Sequence, residues 1–133
     1  MSKGRILVID DEPDIVDFLT TLFRDHGFET LSAHDGDAGM ELARKQAPDL
    51  ITLDITMPKK SGVAVFRDLR SDPNLWRVPV YIITGVNEFR QLIYSRSSLP
   101  PEGYMEKPID PEALLRDIET ILKNQMIRHE DPP

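Results

Sequence analysis

Short runs rich in valine, isoleucine and leucine alternate along this chain with longer segments whose apolar residues recur every three to four positions. Parallel strands need a crossover between them, usually a helix, so a repeated strand–helix rhythm predicts an open parallel sheet with helices on both faces. Strands are expected at Arg5–Ile9, Glu29–Ala33, Leu50–Leu53, residues 79–84 and Gly103–Glu106. The second and fifth runs are the most polar, which suits the edges of a sheet better than its centre.

The helices follow from periodicity and punctuation. Ile15, Phe18, Leu19, Leu22 and Phe23 fall at i, i+3, i+4, i+7 and i+8 and predict an apolar stripe on a first helix, with Glu12 and Asp14 at its positive end. A second helix is expected after Asp35-Gly36, with Met40, Ala43 and Ala47 turned inward, and must stop before Pro48. A third carries Val65, Phe66 and Leu69 and ends at Ser71-Asp72-Pro73. A short fourth carries Phe89, Leu92 and Ile93 and is closed by Leu99-Pro100-Pro101. A fifth starts at Asp110-Pro111, a cap followed by proline at the first helical position, and buries Leu114, Ile118, Ile121 and Leu122.

The 133 residues suit one domain, residues 1–125, followed by a tail, residues 126–133, expected to fray from His129 onward. With 40% apolar residues the chain can fill a core without staples. It has no cysteine, which excludes disulfides, thiolate metal sites and cysteine nucleophiles and fits a reducing, cytoplasmic setting. No apolar run approaches a membrane span or a signal peptide. A net charge of −7 with no basic stripe argues against direct nucleic-acid binding.

The chemistry gathers where strands end. Asp10 and Asp11 end the first strand, Asp54 the third, Thr84 the fourth and Lys107 the fifth. Ligands of open parallel sheets bind beyond the carboxyl ends of the strands, so these positions predict three carboxylates, a hydroxyl and an ammonium around one crevice. Crowded carboxylates repel unless a cation joins them, and hard oxygen ligands with open positions suit Mg²⁺. A metal, an ammonium and a hydroxyl together can stabilise a transferring phosphoryl group, with Asp54 as the candidate nucleophile. Each residue alone has a blander explanation. An Asp-Asp pair before a helix is commonly a cap or turn, Asp54 a strand-to-turn residue, Thr84 the end of a β-branched run, and Lys107 a solvated surface lysine. Their convergence is what favours a site.

In the stretches ILVIDDEPDI, PDLITLDITMPKKSG, VPVYIITG and YMEKPID, the sequence resembles the receiver domain of bacterial two-component response regulators, of the stand-alone type. The resemblance spans nearly the whole chain and implies a flavodoxin-like, doubly wound sheet in the order 2-1-3-4-5 with five helices. It implies that Asp54 accepts a phosphoryl group from the phosphohistidine of a sensor histidine kinase or a histidine phosphotransfer protein. It further implies Mg²⁺ held by Asp11, Asp54 and the backbone carbonyl of Thr56, with Asp10 acting mainly through bound water. Lys107 would pair with the phosphoryl oxygens, with a cis bond to Pro108, while Thr84 moves toward the phosphate and Tyr104 swings inward. The face formed by the fourth helix, fifth strand and fifth helix is then the expected contact for an output protein of unknown identity. The protein is expected to be a monomer or a phosphorylation-dependent homodimer, and a signalling domain rather than a turnover enzyme.

Two stretches depart from the family pattern. Gly85 and Val86 follow Thr84 where receivers more often carry a small Ala or Ser and then a polar residue, so Val86, with Thr56, is expected to tune water access to the phosphoryl group. SRSSLPPEG replaces the usual small-residue approach to the fifth strand, and its two prolines should stiffen that loop. With nothing after Pro133, the sequence reads as a stand-alone regulator or as a receiver cut from something longer. An aspartate-nucleophile phosphohydrolase would need a second Asp where Thr56 stands, and a flavin carrier a Ser/Thr/Gly-rich phosphate loop where five acids lie between Asp10 and Asp17. A degenerate receiver, binding partners without being phosphorylated, would be expected to lack some of these acceptor-site residues.

Overall fold

The computed structural model describes residues 2–55, 57, 61–85 and 99–130, with side chains up to residue 125. Five strands, β1 (Arg5–Ile9), β2 (Glu29–Ala33), β3 (Leu50–Leu53), β4 (Val80–Thr84) and β5 (Gly103–Glu106), form one parallel sheet in the order β2-β1-β3-β4-β5. The two polar runs are indeed its edges, and β1, β3 and β4, buried on both faces, are its centre. Described helices are α1 (Pro13–Asp25), α2 (Gly36–Gln46), α3 (Gly62–Ser71) and a C-terminal α4 (Pro111–Glu130). The helix expected around Phe89, Leu92 and Ile93 lies outside the described residues.

Alternation along the strands divides the core in two. Leu7, Ile9, Ile51, Leu53, Val80 and Ile82 face α2 and α3, while Ile6, Val8, Leu50, Tyr81 and Ile83 face α1 and α4. Three helices begin on side-chain caps: Asp35 accepts from the Ala38 N–H at 2.8 Å, Ser61 from Ala64 at 3.3 Å and Asp110 from Ala113 at 3.2 Å. α1 does not, because the Glu12 side chain at its N-cap makes no capping bond.

Three details of the predicted helices are corrected. The buried face of α1 is Val16, Leu19, Thr20 and Phe23, and Phe18 is exposed. Apolar residues at 15, 16, 18, 19, 22 and 23 cover more of the helix than one sheet can bury, and packing selects the side centred on Val16 and Leu19. Ala47 is not inward: it is the exposed C-cap of α2, left-handed at φ 46°, because the chain must leave the helix before Pro48. α4 also continues to Glu130, through residues expected to fray, since no Gly or Pro interrupts it before Pro132.

The prolyl loop before β5 is anchored by one side chain. The Arg70 guanidinium at the end of α3 donates to the carbonyls of Val78 (3.0 Å), Leu99 (3.0 Å) and Pro100 (2.9 Å) and to Glu102 Oε1 (2.7 Å), and lies over the Phe66 ring. Glu102 Oε1 also accepts from the Val80 N–H at 2.7 Å, so the starts of β4 and β5 are tied to one guanidinium.

Candidate functional site

Backbone pairing carries the sheet one residue past its ends and sets the functional side chains next to one another. Asp10 N–H donates to Ala33 O (3.1 Å), Asp54 N–H to Ile9 O (3.0 Å) and Lys107 N–H to Thr84 O (2.9 Å). The parallel register therefore places Asp10, Asp54, Thr84 and Lys107 along one edge of the molecule. Asp10 and Asp54 are each 2% exposed, and Thr84, the last residue of β4, is fully buried. Carboxylate oxygens of Asp10, Asp11 and Asp54 lie within 4.8 Å of one another, close enough to share one cation.

Local sequence shapes the approach to Asp54. The Gly62 N–H that opens α3 donates to Ile55 O at 2.8 Å, and α3 begins so close to this turn that a Cβ on residue 62 would overlap the Asp54 carbonyl and stand 2.5 Å from the Ile55 Cα. Only glycine permits that approach. The Lys107–Pro108 peptide bond is cis.

Lys107 reaches into the cluster from β5. Its Nζ is 3.2 Å from Asp10 Oδ2, 3.0 Å from Glu12 Oε2 and 3.9 Å from Asp54 Oδ2. Burial alone would lower the pKa of this lysine, but the hydrogen bond to Glu12 and the charges of Asp10 and Asp54 outweigh it, and the net shift is upward. Lys107 thus stays an ammonium. For Asp10 the order reverses: burial raises its carboxyl above the usual range more than the Glu12 N–H (2.9 Å) and Lys107 lower it.

Asp10, Asp11, Asp54, Thr84 and Lys107 are therefore brought together, and Tyr104 sits half-buried on β5 against the core on the α2 and α3 side. Thr56 and Val86 lie outside the described residues. Sequence reasoning missed the part played by Glu12. It reads as a helix-dipole residue, and no spacing rule links it to a lysine 95 positions away.

A parallel 2-1-3-4-5 sheet with an acidic cluster and a lysine at its carboxyl edge is the architecture of a receiver. The chain matches the response regulator receiver domain family over residues 6–119 and belongs to it: it is a signalling domain of two-component phosphorelays. Among its relatives, protein PilH of Pseudomonas aeruginosa is 34% identical over 119 residues, 90% of this chain and 98% of PilH. The DNA-binding response regulator MtrA of Mycolicibacterium smegmatis is 33% identical over 98% of this chain, which spans 54% of MtrA. Among solved structures, the chemotaxis response regulator CheY4 of Vibrio cholerae superposes with a TM-score of 0.79 at 25% identity, covering 89% of this chain and 98% of that one. Among the described residues no helix is long and apolar enough to cross a membrane.

Proposed function

We propose that Asp54 is the phosphoacceptor of this receiver and that Asp10, Asp11, Thr84, Lys107 and Tyr104 serve its phosphorylation and readout. One observation carries the reading: a buried carboxylate at the end of β3 stands beside two further carboxylates and 3.9 Å from a lysine ammonium. A carboxylate oxygen of Asp54 attacks phosphorus while the P–N bond to the donor's imidazole breaks. The bonding pair stays on the imidazole, and an acyl phosphate forms on the receiver.

The donor set of hard carboxylate oxygens fits Mg²⁺, which Asp11 and Asp54 would hold with the Thr56 carbonyl, and Asp10 through water. When bound, this ion supplies positive charge against the acceptor and the phosphoryl oxygens. Lys107 neutralises a phosphoryl oxygen from the β5 side. The acyl phosphate adds about one negative charge and new acceptor oxygens, which draw the Thr84 hydroxyl and let Tyr104 turn inward. The output surface then includes β5 and α4, the donor being a sensor histidine kinase or a histidine phosphotransfer protein in the cytoplasm. Residues 1–125 form the phosphoacceptor unit, and the protein works as a monomer or a phosphorylation-dependent homodimer.

Intact mass after incubation with acetyl phosphate and Mg²⁺ tests the acceptor. The wild type gains one phosphoryl group, labile to alkali, and Asp54→Asn gains none. Labelling that persists in Asp54→Asn identifies another acceptor and refutes the assignment.

A further inference from the structure

The N-cap of α1 is Glu12, yet its side chain leaves the helix uncapped and reaches across the site to β5. Its Oε2 accepts from Lys107 Nζ at 3.0 Å, the shortest of the contacts this ammonium makes with carboxylates among the described residues; Asp10 follows at 3.2 Å and Asp54 at 3.9 Å. The two carboxylates within hydrogen-bond reach are thus those that would not carry the phosphoryl group, and the acceptor is held beyond it. The two partners differ in what release costs them. The Asp10 side chain is 3% exposed and that of Glu12 is 56% exposed, so Glu12 regains water on letting go whereas Asp10 does not.

We infer that Glu12 is a positioning residue that holds the Lys107 ammonium on the α1 side of the site in the resting protein and surrenders it to the phosphoryl group, so that it competes with phosphorylation of Asp54. This rests on Asp54 being the acceptor. In labelling by acetyl phosphate, the Asp54 oxygen bonds to phosphorus as the P–O bond to acetate breaks, acetate leaving with the electron pair. Negative charge builds on the phosphoryl oxygens that Lys107 must reach, and each ammonium N–H still directed at Glu12 is withheld from them.

The test follows labelling by intact mass with acetyl phosphate at saturating Mg²⁺ in wild type, Glu12→Gln, Lys107→Ala and the double variant. Glu12→Gln keeps the shape of a side chain that caps nothing and should label about two- to five-fold faster, the scale of a half-exposed ion pair. In the Lys107→Ala background the same substitution should change nothing. An equal gain in both backgrounds would mean that Glu12 merely repels the anionic donor, and no gain in the wild-type background would mean that it does not restrain the lysine; either overturns the inference. Carboxyl ¹³C NMR supplies a reading that needs no lysine variant. The Glu12 resonance, assigned by its loss in Glu12→Gln, should move toward that of a solvated carboxylate when the wild type is phosphorylated. A stationary resonance overturns the inference. Failure of the acceptor reading looks different, since it shows as an unlabelled wild type or a labelled Asp54→Asn.

Discussion

Thr52 lies in the middle of β3 between Val8 of β1 and Tyr81 of β4, 1% exposed, and its hydroxyl finds no hydrogen-bond partner among the described residues. It faces the same side of the sheet as Val8, toward α1 and α4. A buried hydroxyl without a partner is an uncompensated desolvation, and valine has the same shape without it. Thr52→Val should therefore raise the unfolding free energy by about 1 kcal/mol in urea titration. A loss of stability would show that the hydroxyl has a partner in solution. Tyr81 illustrates the opposite case. Its ring is fully buried against Gly103, where a Cβ would overlap it, and its hydroxyl donates to Asp117 on α4 at 2.6 Å, so the polar end of a core residue is satisfied.

Helix ends and the loop before β5 show how elements are fixed in place. Ala47 holds a left-handed conformation at φ 46° that an alanine Cβ disfavours, and it is exposed. Ala47→Gly should stabilise the protein by about 0.5–1 kcal/mol in the same titration, because glycine meets the cap geometry without steric cost. Arg70 works in the other direction. Its side chain is only 8% exposed and holds carbonyls from two loops together with the Glu102 carboxylate. Arg70→Ala would leave a partly buried carboxylate and several carbonyls without their donor, at a cost of about 3 kcal/mol. Amide hydrogen exchange should quicken at Val80 and Glu102, whose N–H groups bond within this anchor. Unchanged exchange at both would mean that the anchor does not hold the loop.

At the scale of the whole molecule, three carboxylates at the ends of β1 and β3 are a liability of the folded state, because the unfolded chain keeps Asp54 away from the Asp10–Asp11 pair. A cation that binds only the native site offsets this. At about 100 times its dissociation constant, Mg²⁺ should add roughly 2.7 kcal/mol, which for a domain of this size raises the melting temperature by roughly 5–15 °C. Asp11→Ala should lose most of that rise. Asp25→Asn, an exposed acid at the opposite end of α1, should keep all of it. Asp49, although it lies just before β3, is a poorer control because its Oδ2 accepts the Arg5 N–H at 2.7 Å and helps seat β1. Melting that ignores millimolar Mg²⁺ would dismiss the cation site.

The sequence by itself determined what depends on neighbours along the chain. The runs Ile6–Ile9 and Leu50–Leu53 read as strands, the more polar Glu29–Ala33 and Gly103–Glu106 as edges, and Asp10, Asp54, Thr84 and Lys107 were legible as strand-end residues because each closes or directly follows a run read as a strand. The strand order came from family resemblance, since periodicity does not rank parallel neighbours. Tertiary structure decided the rest, wherever two groups far apart in sequence compete for one position. Packing against the sheet chose Val16 over Phe18 as the buried side of α1, a choice that a helix apolar around much of its circumference leaves open. The fork of Arg70 found Leu99, Pro100 and Glu102 about thirty residues on. Glu12, which local rules assign to a helix dipole, was drawn instead to Lys107, because a charge pair at 3.0 Å in a half-buried crevice outweighs a diffuse interaction with a helix end.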